Sequence, residues 1–278
     1  MVNYTGKIGL GSVQFGIPYG ISNKAGITTV AEVEKILNVA YNRGIRIIDT
    51  ARSYGMAEEI IGKLNNGRFN IISKFMPYRD YGDIRFQFEE SLRLLKVDNL
   101  YGYLAHRPGL LTDRDWEELQ LLKDKNKVLK IGFSLNEPEE YDFLSKAGYY
   151  PDIIQVPFNY FDNRFKELLI HLKSEGCEVH TRSTFLQGLF FMNANELAPY
   201  FNAFKSHINF LQETYGSDLQ TALLDFALRQ DFIDTVIIGV ENVKQLEKNL
   251  DNTLGNHRLE DAPSFPTNIL MPVNWPKN

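Results

Sequence analysis

The chain has a single cysteine, Cys177, among its 278 residues. An intrachain disulfide is therefore excluded, and the reducing cytoplasm is the expected setting. Cys177 opens an apolar run and reads as core filler. No apolar run approaches the ~18 residues a membrane span needs. The opening residues, MVNYTGK, lack the apolar stretch of a secretory signal. Nor is there a segment dense in Lys and Arg. With a net charge of -5, this argues against a nucleic-acid partner and against a membrane surface. There is no Gly-x-Gly-x-x-Gly, no short-period repeat, no low-complexity linker, and no metal is expected.

What is present is a 44% apolar composition, enough for a substantial core, laid out as a regular alternation. Strand-like runs occupy residues 8–15, 45–49, 70–74, 100–106, 128–134, 153–158, 177–183 and 235–239. Amphipathic windows lie between them. Val30, Val33, Ile36, Leu37 and Ala40 keep helical spacing, as do Phe88, Ser91, Leu92 and Leu95, and Phe165, Leu168, Leu169 and Leu172. Alternating strands and helices imply parallel pairing with helical crossovers. Eight such units predict an α/β fold, a (β/α)8 TIM barrel with residues 1–278 as one domain; an open doubly wound sheet is the alternative. Residues 190–216 exceed an ordinary strand-to-helix connection and predict extra helices on the active-site face. The tail, 256–278, carries Pro263, Pro266, Pro272 and Pro276, which excludes a regular helix or central strand there. It is expected to wrap the barrel or fold over the pocket.

The chemistry concentrates at predicted strand ends. The stretch IIDTARSYG, residues 47–55, is followed by Ser73, Lys74 and His106. It offers a carboxylate, a phenol, an ammonium and an imidazole on the face where barrels of this kind carry their active sites. Together they suit proton donation to a carbonyl. A phenol is a weak acid at neutral pH. A lysine beside it would lower its pKa, an aspartate would hold that lysine charged, and a histidine would orient the carbonyl. Hydride must come from a cofactor.

A second signal lies after strands seven and eight, where barrels bind phosphate. Residues 182–188 and 238–242 form those loops, and Gly239 admits close backbone approach. Asn242 and Gln245 form a capping-box pattern opening a last helix, whose positive end should face the same place.

Several stretches resemble signatures of the aldo-keto reductase family, in that family's order. They are GLGSVQFG (9–16), DTARSYG (49–55), Ser73-Lys74, LAH (104–106), GFS (132–134) and QVPFN (155–159). The resemblance implies Tyr54 as general acid, Lys74 and Asp49 as its tuning pair, and His106 as the residue that orients substrate. It implies Ser183, Leu186, Gly188 and Gly239 at a nicotinamide cofactor's pyrophosphate, and Ser134 and Gln155 at its carboxamide. Gln245 and Asn249 would sit near the adenosine, with Gly11 and Ser12 beside the nicotinamide ribose. It favours NADP(H) over NAD(H). Three residues depart from the family pattern. Leu135 replaces an Asn that contacts the carboxamide, and Gln245 replaces an Arg that grips the 2′-phosphate. Arg182 replaces an aromatic ring stacked on the nicotinamide; as a cation it should favour the neutral reduced ring.

The implied activity is reduction of an aldehyde or ketone. Residues 14–20, 76–79 and 107–109, together with the 190–216 segment and the tail, would build the mouth. Tyr19, Tyr78, Arg79 and Arg107 there suit a polar carbonyl substrate such as a keto sugar or sugar nucleotide. Two alternatives compete: a catalytically silent, cofactor-binding regulatory subunit, and a barrel lyase or isomerase acting on a phosphorylated ligand.

Overall fold

A computed structural model describes residues 5–251, 259 and 264–276. Its strands are β1 (Ile8–Gly11), β2 (Ile47–Asp49), β3 (Asn70–Phe75), β4 (Leu100–Ala105), β5 (Val128–Ser134), β6 (Ile153–Pro157), β7 (Glu178–Arg182) and β8 (Thr235–Gly239). They pair in sequence order, all parallel, and β8 returns to β1 to close the barrel. This is the (β/α)8 fold expected. The register places catalytic-face residues side by side. Gly11 pairs with Asp49 on one flank and Gly239 on the other. Ser134 pairs with Gln155, and Pro157 with Arg182.

The helices are α1 (Val13–Gly16), α2 (Val30–Asn42), α3 (Ala57–Leu64), α4 (Tyr78–Tyr81), α5 (Ile84–Leu95), α6 (Asp113–Asp124), α7 (Glu139–Lys146), α8 (Lys166–Ser174), α9 (Asn202–Tyr215), α10 (Leu219–Leu228), α11 (Val243–Asp251) and α12 (Thr267–Leu270). In α2, Val33, Ile36, Leu37 and Ala40 are buried, the stripe the spacing predicts. Val30 shares that spacing but opens the helix, and it is 50% exposed. Thr29 caps it, accepting from Glu32 N–H.

Strand one is shorter than its apolar run. The sequence suggests residues 8–15, but β1 ends at Gly11 and α1 begins at Val13. Short apolar runs do not distinguish strand from helical turn. Here the turn brings Gly16 against the loop that bears Tyr54. A Cβ on Gly16 would fall 1.8 Å from Tyr54 O, and Gly55 sits at φ +56. Both positions demand glycine.

Between β7 and β8 lie short 3-10 turns, then α9 and α10. They enclose a second apolar cluster in which Phe161, Phe190, Phe201 and Phe204 meet Ile269, Leu270 and Trp275 of the tail. Trp275 Nε1 donates to Ile269 O at 2.8 Å. Part of the tail thus folds back onto the catalytic side; residues 256–258, 260–263 and 277–278 lie outside the described residues, as do residues 1–4.

Candidate active site

Asp49 closes β2, Lys74 lies near the end of β3, and His106 follows β4. Tyr54 stands on the loop between β2 and α3. That loop is pinned: Arg52 N–H donates to Lys74 O at 3.0 Å. The Arg52 guanidinium pairs with Glu58 at 2.7 Å, and Ser73 Oγ donates to the same carboxylate at 2.7 Å.

The four predicted side chains converge. Lys74 is fully buried, and its Nζ lies 2.6 Å from both Asp49 oxygens and 3.1 Å from Thr50 O. The same Nζ is 5.3 Å from the Tyr54 ring centroid. The His106 ring meets the Tyr54 ring edge-on, centroids 5.7 Å apart. Ser53 Oγ lies 3.2 Å from His106 Nδ1.

Burial, joined by the Asp49 charge, holds Tyr54 well above the ordinary tyrosine value, and the Arg182 cation opposes it. Burial lowers the Lys74 pKa and Asp49 counters that. His106 is held well below the usual histidine value by burial, then by Lys74, Arg182 and Arg107. At neutral pH the site therefore holds a protonated phenol and a neutral imidazole.

These groups open into one cleft of about 600 Å³, within the range of cofactor sites. Asp49, Tyr54 and His106 line it, while Lys74 lies behind them. Gly11, Ser12, Ser134, Arg182, Ser183, Gly188, Gly239, Gln245 and Asn249 also line it. Gln155 and Leu186 do not. Gln155 is fully buried, and its Nε2 donates to Asp49 Oδ1 at 2.7 Å. Leu186 is buried, and its amide is spent on Ser183 O at 2.9 Å. Tyr19 and Arg107 line the mouth, whereas Tyr78 and Arg79 stand outside the cleft.

The Arg182 guanidinium donates to Leu135 O at 3.0 Å, to Asn136 Oδ1 at 2.8 Å and to Ser183 Oγ at 3.4 Å. These acceptors are all neutral, and among the described residues no carboxylate pairs with it. Leu135 is buried, and Asn136, one residue later, is what reaches the cleft.

The expected phosphate cradle at α11 is only partly available. Gln245 N–H donates to Asn242 Oδ1 at 3.0 Å, and Val243 N–H donates to Glu32 Oε1 at 2.8 Å. The Gln245 side chain accepts from Glu241 N–H at 2.8 Å, one residue before the capping-box position. Two of the first-turn amides, those of Val243 and Gln245, are thus already committed.

Sequence reasoning did not single out Asn136 or Gln220. Asn136 follows a strand end, which was the available signal; Gln220 lies on α10 and carries no such signal. Thr184 and Glu241 fall within the two loops expected to bind phosphate, and Leu270, Met271, Pro272 and Val273 within the tail expected at the pocket. Gln14 Oε1 and Thr184 Oγ1 are buried on the cleft wall without a protein partner among the described residues. A polar ligand lying along this wall would satisfy both, so the residues present fit a nicotinamide dinucleotide.

A closed parallel barrel thus gathers an acid, a phenol, a lysine and a histidine at one rim. The model of the Aldo/keto reductase family matches residues 7–261, and the chain belongs to that family. Similar curated proteins include the glyoxal reductase of Bacillus subtilis (strain 168), 32% identical over 167 residues. That match covers 56% of this chain and 59% of that protein, so the chain spans under two thirds of its length. L-galactose dehydrogenase of Arabidopsis thaliana is 23% identical, covering 87% of this chain and 82% of its own. Among solved structures, a holo-form aldo-keto reductase from Bacillus halodurans superposes with a TM-score of 0.72 at 20% identity, covering 91% and 88% of the two chains. An aldo-keto reductase from Klebsiella pneumoniae in complex with NADPH gives 0.65 at 21%, covering 90% and 87%. Among the described residues no helix is long and apolar enough to cross a membrane.

Proposed function

We propose that the protein reduces an aldehyde or ketone to the alcohol with NAD(P)H, Tyr54 acting as general acid. The observation that carries this is the convergence of Tyr54, Lys74, Asp49 and His106 at one end of a cleft of dinucleotide size. Ser12, Ser134, Arg182, Ser183, Gly188 and Gly239 would hold the cofactor, which supplies the hydride when bound. The protein's own residues then handle the proton. Tyr54 donates from its Oη to the carbonyl oxygen as negative charge grows there. Lys74, locked on Asp49, keeps a fixed positive charge beneath the ring. Ser53 donating to His106 Nδ1 would leave the imidazole proton on Nε2, free to hold the substrate oxygen. A phenol kept protonated by burial suits a donor that must release its proton only in the transition state.

Support for NADP(H), the form the sequence resemblance favours, comes from the Klebsiella neighbour solved with NADPH. A keto sugar or sugar nucleotide is the substrate class we favour, supported by Tyr19 and Arg107 at the mouth. A cytoplasmic location is part of the proposal, consistent with one free, buried cysteine.

Tyr54→Phe is the test. Reduction of a small activated aldehyde should fall by about 10²–10⁴-fold, while cofactor affinity measured by fluorescence stays near that of the parent. Unchanged turnover would refute the role. Binding without turnover in the parent, across a carbonyl panel, would favour the silent regulatory subunit.

A further inference from the structure

Behind the barrel wall, under the loop that carries Tyr54, lies a buried ion pair that the proton chemistry does not use. Glu58 stands in the first turn of α3 and is 1% exposed. One of its carboxylate oxygens accepts from the Arg52 guanidinium at 2.7 Å, and the other accepts from Ser73 Oγ at 2.7 Å. None of the three residues lines the cleft. Ser73 faces away from the barrel axis because its neighbour Lys74 faces in. It is paired in register with Tyr103, whose ring packs on Phe75 and Phe88. Burial, then the Glu58 charge, holds the Tyr103 phenol well above the ordinary tyrosine value, with Arg52 opposing. Tyr103 therefore stays neutral and adds no charge to the pair.

We propose that Glu58 is a positioning residue that sets the placement of Tyr54 against Lys74. The inference rests on the reading of Tyr54 as general acid. Arg52 and Glu58 flank Tyr54 in sequence, so their pair closes the loop 52–58 at its base. That base is fastened to β3 at two successive residues: Arg52 N–H donates to Lys74 O at 3.0 Å, and Glu58 accepts from Ser73. Inside the loop, Tyr54 N–H donates to Ala51 O at 3.0 Å, and Ala57 N–H donates to Tyr54 O at 3.1 Å. Without the pair the loop keeps these backbone bonds but loses its tie at the α3 end. The phenol can then shift relative to Lys74 Nζ, which lies 5.3 Å from its ring centroid. A misplacement of about 1 Å can cost a reaction about 10²-fold.

The positional effect is separable from folding. Desolvation offsets most of the attraction in a buried ion pair, so replacing both partners by apolar side chains is often neutral for stability. Removing one partner alone strands the other charge and is not neutral. The informative variant therefore changes both residues together.

The experiment compares the whole protein with Glu58→Gln, with the double variant Arg52→Met, Glu58→Leu, and with Ser73→Ala. Reduction of a small activated aldehyde by NADPH, the solvent deuterium isotope effect on kcat, and NADPH affinity by fluorescence are measured for each. Glu58→Gln can still accept from Arg52 and bond to Ser73, and it should keep kcat close to the parent's. The double variant should lose about 10²-fold in kcat with an unchanged dissociation constant for NADPH. Its isotope effect should rise, because proton transfer from a displaced phenol becomes the slow step. A purely structural role would reduce the amount of folded enzyme and leave the isotope effect where it was. Ser73→Ala breaks only the tie to β3 and should move kcat and the isotope effect the same way, to a smaller extent; it decides the matter if the double variant does not fold. Parent values of kcat, or a lower kcat with an unmoved isotope effect, would overturn the positioning role while Tyr54→Phe remained inactive. Turnover in Tyr54→Phe equal to the parent's would instead remove the reading of Tyr54 on which the proposal rests.

Discussion

At the residue scale, the site is governed by which charges are neutralised. Lys74 and Asp49 cancel each other in a buried pair, so their joint contribution is positional, an ammonium fixed under the Tyr54 ring. Arg182 is different, because its partners among the described residues are a carbonyl, an amide oxygen and a hydroxyl. A guanidinium so placed retains its full charge inside the cleft. It should repel the cationic oxidised nicotinamide relative to the neutral reduced one. Arg182→Tyr is expected to lower the ratio of the oxidised to the reduced dissociation constant by about tenfold. A ratio equal to the parent's would show that the guanidinium does not sense the ring. The residue types here were readable from the chain, since each stands at the end of an apolar run. Their protonation was not, because it depends on burial and on Arg182, more than a hundred residues from Tyr54 in sequence.

At the element scale, close backbone approach sets where the catalytic loop can sit. Helix α3 begins at Ala57, past Gly55 and Met56 from Tyr54, and packs on α5. Gly62 makes that packing possible, since a Cβ there would lie 1.9 Å from Leu94 O. The obstacle is backbone, which cannot swing aside. Gly62→Ala should therefore destabilise the fold by about 1–3 kcal/mol despite alanine's better helix propensity, seen as a lower urea midpoint. A midpoint at or above the parent's would mean that α3 can slide without cost. Strands β5 and β8 coincide with their predicted runs at both ends, 128–134 and 235–239, each opening after a polar residue, Lys127 or Asp234. Strand β1 does not, because Val13 and Phe15 continue the apolar run into α1. That difference is a matter of tertiary packing on Gly16, which local propensity does not encode.

At the scale of the whole molecule, the barrel's two ends do different work. The end opposite the cleft is closed by a polar network drawn from three strands. Glu178 receives Tyr101 OH at 2.7 Å and His180 Nε2 at 2.5 Å, and is also paired with Lys130. His180 is fully buried. Burial alone would raise the Glu178 carboxyl, but bonds from His180, Lys130 and Tyr101 outweigh it and hold it at about 2. A carboxyl lower in the folded than in the unfolded chain stabilises above the unfolded value and loses that contribution as pH falls toward the folded one. Stability should thus decline between about pH 4.5 and 2, by up to about 3 kcal/mol from this group. Thermal unfolding across that range would show a flatter acid limb in Glu178→Gln. An identical limb would place the acid sensitivity elsewhere.

The sequence by itself determined the eight-unit barrel and the tetrad. Both follow from local rules: apolar periodicity fixes element type, and a barrel gathers every strand end on one rim. Only the tertiary structure decided which charges face each other across the cleft. It held the Tyr54 phenol up through burial and committed the Val243 and Gln245 amides of α11 to Glu32 and Asn242. It also laid residues 270–273 over the opening. These outcomes depend on distances between groups far apart in the chain, and such distances exist only after the barrel closes.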